Sequence, residues 1–109
     1  AFDPARTVER EKLLRCFEAA RWASSSQNEQ PWAFLLGDQT NAPETWSRVC
    51  DTLLDGNKPW AKNAPVLILS VMKREFDKNG KPNPTAQHDT GMAVAHFCLQ
   101  TVAEGLHTH

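Results

Sequence analysis

No apolar run in this 109-residue sequence approaches the roughly 18 residues that a membrane-spanning helix needs. No charged n-region leads into an apolar h-region at its start, the pattern by which a secretory signal is read. An excess of one charge is also missing. Twelve Lys and Arg stand against thirteen Asp and Glu, which leaves no basic footprint for nucleic acid and no acidic tail. Cysteine is sparse, odd in number and scattered, with Cys16, Cys50 and Cys98 lying far apart inside helical patterns. That spacing argues against a disulfide framework or a zinc site and for buried thiols in a reducing, cytoplasmic compartment. Internal repeats and low-complexity segments are absent. So are Ser-His-Asp, Cys-His, Walker and G-x-G-x-x-G patterns. If the chain serves an enzyme, a cofactor carries the chemistry.

Apolar residues make up 40% of the chain, four Trp and five Phe among them, enough for one small domain with a real core. The stretch that organises the rest is Ala23-Ser24-Ser25-Ser26-Gln27-Asn28-Glu29-Gln30-Pro31-Trp32. Its hydroxyls and amides both donate and accept hydrogen bonds. Placed where a helix hands over to a strand, such a loop suits a polar planar ligand. A plain serine-rich helix end before Pro31 accounts for the same composition.

The periodicity predicts a helix from Val8 to Ala23, with Thr7 as N-cap and Leu13, Leu14, Phe17, Ala20 and Ala23 on its buried face. Trp32 to Leu36 has the length of a strand. A second helix is expected from Pro43 to Leu54, with Trp46, Val49, Cys50, Leu53 and Leu54 inward and Gly56 as its C-terminal glycine. Pro59 opens another helical turn. Val66 to Met72 reads as a strand buried on both faces. A polar loop follows, turning at Asn79-Gly80. The last element, Thr85 to Glu104, is apolar nearly all round and must be covered nearly all round. We expect its own sheet on one side and a partner subunit on the other; burial in a part of the protein outside these 109 residues is the alternative, and both can hold.

Histidines offer weaker chemistry. His88-Asp89 pairs a base with a carboxylate, but neighbours on a helix point about 100° apart, which favours capping or solvated roles. His107 and His109 form an H-x-H pair without a third ligand at matching spacing. His96 reads as a core or interface histidine.

Ser25-Ser26-Gln27-Asn28-Glu29-Gln30-Pro31-Trp32 resembles the S-S-x-N-x-Q-P-W signature of the FMN-dependent nitroreductase family. Three more segments resemble the family in order and spacing: Phe2-Asp3-Pro4, Asn57 with Trp60, Ala64 and Pro65, and Asp89 to Leu106 with its closing Gly-Leu pair. The resemblance implies an α+β fold with helices on a mixed sheet and a long central dimer-interface helix over residues 85–105. Two FMN sites would lie across the interface of a homodimer. The implied chemistry is ping-pong, from NAD(P)H through FMN to a nitroaromatic, quinone or similar small-molecule acceptor.

Position by position, Ser24, Ser25, Ser26 and Asn28 resemble the loop that borders the flavin from the partner subunit, and Ser24 stands where the family usually has proline. Asn57 resembles the residue that bonds the pyrimidine edge of the ring. Asp89 resembles a polar residue near the flavin, and Trp60 stands where some members have a lysine. No catalytic residue and no metal ligand is implied. The family's phosphate partners would lie outside Ala1–His109. We therefore expect residues 1–109 to be the N-terminal part of a single nitroreductase-like domain, inactive alone. A flavin-free interaction module keeping only the dimerisation half is the alternative. A metal-dependent hydrolase using His88, Asp89, His107 and His109 is a third.

Overall fold

The spacing of small and apolar residues near the start produces the first helix. Leu13, Cys16 and Ala20 recur three or four residues apart and are buried along α1, Arg10–Arg21, as one face of a 3.6-residue helix requires. Leu14 is exposed instead, because one residue past Leu13 it is turned about 100° away. Thr7 does not cap the helix. Glu9 holds the N-cap position with an extended backbone, and its carbonyl accepts from the Lys12 and Leu13 N–H groups at 3.1 and 3.3 Å.

The computed structural model describes residues 2–109. The chain continues through β1 (Trp32–Asp38), α2 (Pro43–Asp51), the single-turn α3 (Lys58–Ala61), β2 (Val66–Met72) and α4 (Ala86–Ala103). It divides into two compact units, one of residues 2–8 and Phe34–Leu69, the other of Glu9–Ala33 and Ser70–His109.

In the second unit α4 packs on α1. Ala86, Thr90, Ala93, Phe97 and Thr101 form its buried stripe. The Phe97 ring meets Phe17 with centroids 5.0 Å apart and planes tilted by 56°. The opposite stripe, Gly91, Ala95, Leu99 and Val102, is exposed, with Leu99 at 71% and Val102 at 67%. His96 is exposed too, its Nδ1 lying 3.3 Å from the Ala19 carbonyl oxygen. Gly105 closes α4 at φ 72°. The Leu106 N–H returns to Thr101 at 2.8 Å and the Gly105 N–H to Val102 at 3.0 Å, the paired bonds of a Schellman ending that needs a left-handed residue.

Arg15 ties the two helices with a fork, Nε and Nη2 each donating to a Glu104 carboxylate oxygen at 2.7 Å. Gln100 adds a third bond at 2.8 Å.

In the first unit Pro43 opens α2. The helix stops at Asp51, short of Leu54, because the Thr52 hydroxyl and N–H both return to the Val49 carbonyl, at 2.7 and 3.1 Å. Leu54 is left exposed. Gly56 lies beyond that end and lacks the positive φ of a C-terminal glycine. A Cβ on Gly37 would come within 2.4 Å of Trp46 Cα, so glycine is what lets α2 lie this close to β1. The Trp46 indole N–H donates to the Ala64 carbonyl at 3.0 Å.

β1 and β2 form a two-stranded sheet. The Gln39 N–H donates to the Pro65 carbonyl at 3.0 Å at one end, and the Lys73 N–H to the Pro31 carbonyl at 2.8 Å at the other. Partner numbers falling as chain numbers rise make the pair antiparallel. Burial of β2 on both faces, expected from its composition, is not found: Leu69, Val71 and Met72 are exposed. A two-stranded ribbon cannot cover its own faces.

The Arg15 fork and the Gln100 amide hold the Glu104 carboxyl down to about 2 from 4.5. A lowered folded pKa stabilises the fold above the unfolded value, and that contribution fades as pH falls through the folded one. The stability difference between wild type and Glu104→Gln is expected to be level above about pH 5 and to shrink as the pH falls from 4.5 towards 2. Denaturation midpoints across this range test it, and a pH-independent difference would contradict the assignment.

Candidate functional site

Helix α1 ends at Trp22, and buried Ala23 pins the start of the serine loop by donating its N–H to Ala20 at 3.1 Å. Ser25 is extended, and Ser26–Asn28 forms one tight 3-10 turn. Gln27, Asn28 and Gln30 have φ of 56°, 55° and 51°. Left-handed backbone costs a residue with a side chain roughly 1 kcal/mol or more, asparagine least. It persists only where neighbouring contacts dictate it.

Those contacts are present. Ser25 Oγ accepts from the Gln30 N–H at 3.0 Å. The Asn28 and Glu29 N–H groups return to the Ser25 and Ser26 carbonyls at 3.0 Å. The Glu29 carboxylate accepts from the Asp77 N–H, and Lys78 donates to the Gln27 side-chain carbonyl. The loop is thereby clipped to the turn at Asn79-Gly80, where Gly80 has φ 66° and its N–H returns to the Phe76 carbonyl at 2.8 Å.

The deepest contact is with Asp89, in the first turn of α4 and only 3% exposed. Its Oδ2 accepts from the Ser26 N–H and from the Thr85 hydroxyl, both at 3.0 Å. Burial pushes the carboxyl up, but the Ser26 N–H, the Thr85 hydroxyl and His88 together outweigh it and hold it below its ordinary value. The His88 Nδ1 is 3.5 Å from Asp89 Oδ1, and the His88 ring is otherwise exposed.

The loop's remaining polar groups face outward. Ser24, Gln27 and Asn28 are exposed and Ser26 is half-buried. Among the described residues the Ser24 and Ser26 hydroxyls make no hydrogen bond, and Asn28 Oδ1 accepts from Gln30 Nε2 at 3.2 Å. Asn57 belongs to the other unit and stands just before α3. Its N–H donates to Leu54 at 2.8 Å and its carbonyl accepts from Ala61 at 2.9 Å. Its exposed side-chain amide has no hydrogen bond among the described residues.

The structure thus joins Ser25, Ser26, Asn28 and Asp89 in one network, with Ser24 beside them on the same loop. It adds residues that the sequence reading passed over. Thr85 supplies the second donor to Asp89 with its hydroxyl, and buried Asn83 holds Thr85 by accepting from its N–H at 3.1 Å. The Asn-Pro-Thr string ahead of the helix was the available signal, an Asx turn feeding a helix start. Among the described residues no three His, Cys, Asp or Glu gather as a metal site.

Comparison with known proteins bears on this arrangement. The family model described as the nitroreductase family matches residues 1–42. A solved oxidoreductase containing FMN superposes on 100% of this chain and 55% of its own, with a TM-score of 0.89 and 34% identity. The chain has the nitroreductase fold. An FMN-dependent nitroreductase from Clostridium difficile R20291 matches 92% of the chain and 53% of its own length, at TM-score 0.73 and 27% identity. The major NAD(P)H-flavin oxidoreductase of Aliivibrio fischeri is 28% identical over 78 residues, 72% of this chain and 36% of that protein. The chain therefore spans about half the length of these solved nitroreductase-fold relatives and about a third of the curated one.

The left-handed turn yields a direct test. Gln27→Val is expected to lower stability by about 1–2 kcal/mol, because a branched side chain clashes there, whereas Gln27→Gly should stay within about 0.5 kcal/mol of wild type. Urea denaturation measures both, and equal losses would mean that the backbone conformation is not what the position selects.

Proposed function

We propose that this chain is the N-terminal part of a single nitroreductase-like domain in an NAD(P)H-dependent FMN oxidoreductase that works as a cytoplasmic homodimer. The observation that carries this reading is the serine loop: a strained turn, held from beneath, that presents the free Ser24 and Ser26 hydroxyls and the Asn28 amide to solvent. Residues held in costly backbone conformations cluster at ligand sites.

The donor set fits the flavin ring. Its pyrimidine edge offers carbonyls and an N–H, which hydroxyls and amides match. Ser24, Ser25, Ser26 and Asn28 would border the ring of a flavin held by the partner subunit, and Asn57 would meet the pyrimidine edge of its own protomer's flavin with the amide that it leaves unused. Asp89 belongs to the same set through Ser26. These residues carry no cation for the phosphate, which takes charge-assisted donors, so its partners lie outside the set. When bound, FMN supplies the redox chemistry that links NAD(P)H to a nitroaromatic, quinone or similar acceptor in a ping-pong sequence. The chain's own residues bind and orient.

The dimer reading is supported by α4. Its outward stripe of Gly91, Ala95, Leu99 and Val102 is apolar and exposed in the single chain, and its small residues permit close helix approach. A second copy against residues 85–105 would cover it. The free state of Cys16, Cys50 and Cys98 supports a reducing compartment. A flavin-free interaction module is the second reading, favoured by the exposed apolar stripe of α4.

The full-length protein with added FMN is expected to show flavin bands and to oxidise NAD(P)H. A colourless protein inert towards NAD(P)H would overturn the enzyme reading in favour of the interaction module. Asn57→Ala should weaken FMN binding or shift its potential by about 1–3 kcal/mol, the range for a buried hydrogen bond left unmade. Unchanged affinity and potential would remove Asn57 from the site.

A further inference from the structure

We infer that Asp89 is a positioning residue of this site: its carboxylate holds the Ser26 N–H, and through it the backbone of the 24–28 loop, without itself meeting the ligand. The inference rests on the reading of that loop as the flavin border. Three observations carry it.

The carboxylate has little surface to offer. Asp89 is 3% exposed, Oδ2 is occupied by Ser26 and Thr85, and Oδ1 faces His88. A buried charge is retained only where donors replace water, and these donors come from the loop and from the turn before α4. Its place in the first helical turn also suits a negative charge.

The bond falls at the position where the loop most needs one. Ser26 immediately precedes Gln27 and Asn28, both left-handed, and its carbonyl receives the Glu29 N–H at 3.0 Å. A charge-assisted bond to that N–H is stronger than a neutral one. Losing it frees the first residue of the turn, and the costly conformations after it lose their anchor.

The chain then splits outward and inward roles. The Ser24 and Ser26 hydroxyls and the Asn28 side chain are the groups left to a ligand, while Asp89, Thr85 and Asn83 form a rigid floor beneath. Asn83 holds the Thr85 N–H, and the Thr85 hydroxyl in turn holds Asp89.

Geometry makes two substitutions diverge. Both donors meet the same oxygen, so Asp89→Asn can keep an acceptor for each, whereas Asp89→Ala keeps none. A carboxylate acting on the flavin by its charge would lose that action equally in both. The test uses the full-length protein, with amide hydrogen exchange over residues 24–30 measured without FMN and FMN affinity measured by titration. Asp89→Ala is expected to speed exchange at Ser26, Gln27 and Asn28 and to weaken FMN binding, each by about tenfold. Asp89→Asn, which keeps the acceptor but loses the charge, should change both by a distinctly smaller factor. Should Asp89→Ala fail to fold, Thr85→Val removes one of the two donors and should raise loop exchange by a smaller factor. Unchanged loop exchange in the variants would overturn the inference. So would an Asp89→Asn loss of affinity equal to that of Asp89→Ala, which would make Asp89 a ligand contact. Faster exchange with unchanged FMN affinity would uphold the anchoring and instead remove the loop from the flavin site.

Discussion

A charge taken out of water must find donors, and Asp89 finds them in the Ser26 backbone and the Thr85 hydroxyl. That requirement fixes three pieces of chain at once: the first turn of α4, the Asn83–Thr85 turn ahead of it, and the serine loop after α1. The loop then tolerates Gln27, Asn28 and Gln30 in left-handed backbone, and the Gln27 and Glu29 side chains bind Lys78 and the Asp77 N–H. The polar groups left outside are a by-product of this inward constraint. Their placement is a property of the scaffold.

Helix α4 makes the same division along its length. One stripe is spent on α1, with Phe97 against Phe17 and Glu104 in the Arg15 fork. The other stripe is just as apolar and meets solvent at Leu99 and Val102. Helices of this kind are stable where both faces find cover, and among the described residues only one face of α4 has it.

Local rules reached most elements and missed what depends on the third dimension. Both strands, the α3 turn, the Asn79-Gly80 turn and the body of each longer helix follow from periodicity and from proline and glycine placement. Boundaries slipped where a backbone or side-chain bond decided the matter, as at Glu9 in place of Thr7 and at Thr52 in place of Leu54. β2 was misjudged because apolar composition records what a strand is able to bury, while burial depends on how many neighbours it has. In the site, the serine loop and Asp89 stood out by residue type and family resemblance. Their junction spans 63 residues of chain, and no window of sequence contains it. Thr85 and Asn83 looked like ordinary turn residues for the same reason.

The close approach at Gly37 limits how this chain can vary. The atoms that an added methyl group would meet, Trp46 Cα at 2.4 Å and Trp46 N at 2.6 Å, belong to the backbone. No change of side chain at position 46 makes room for one. Substitution at position 37 therefore has no compensating partner elsewhere in the sequence. It can be accommodated only by displacing α2 as a body, which would mean rebuilding the Asp38–Asn41 turn and carrying the Trp46 indole away from Ala64. Position 37 is coupled to a length and a path of the chain, not to another residue.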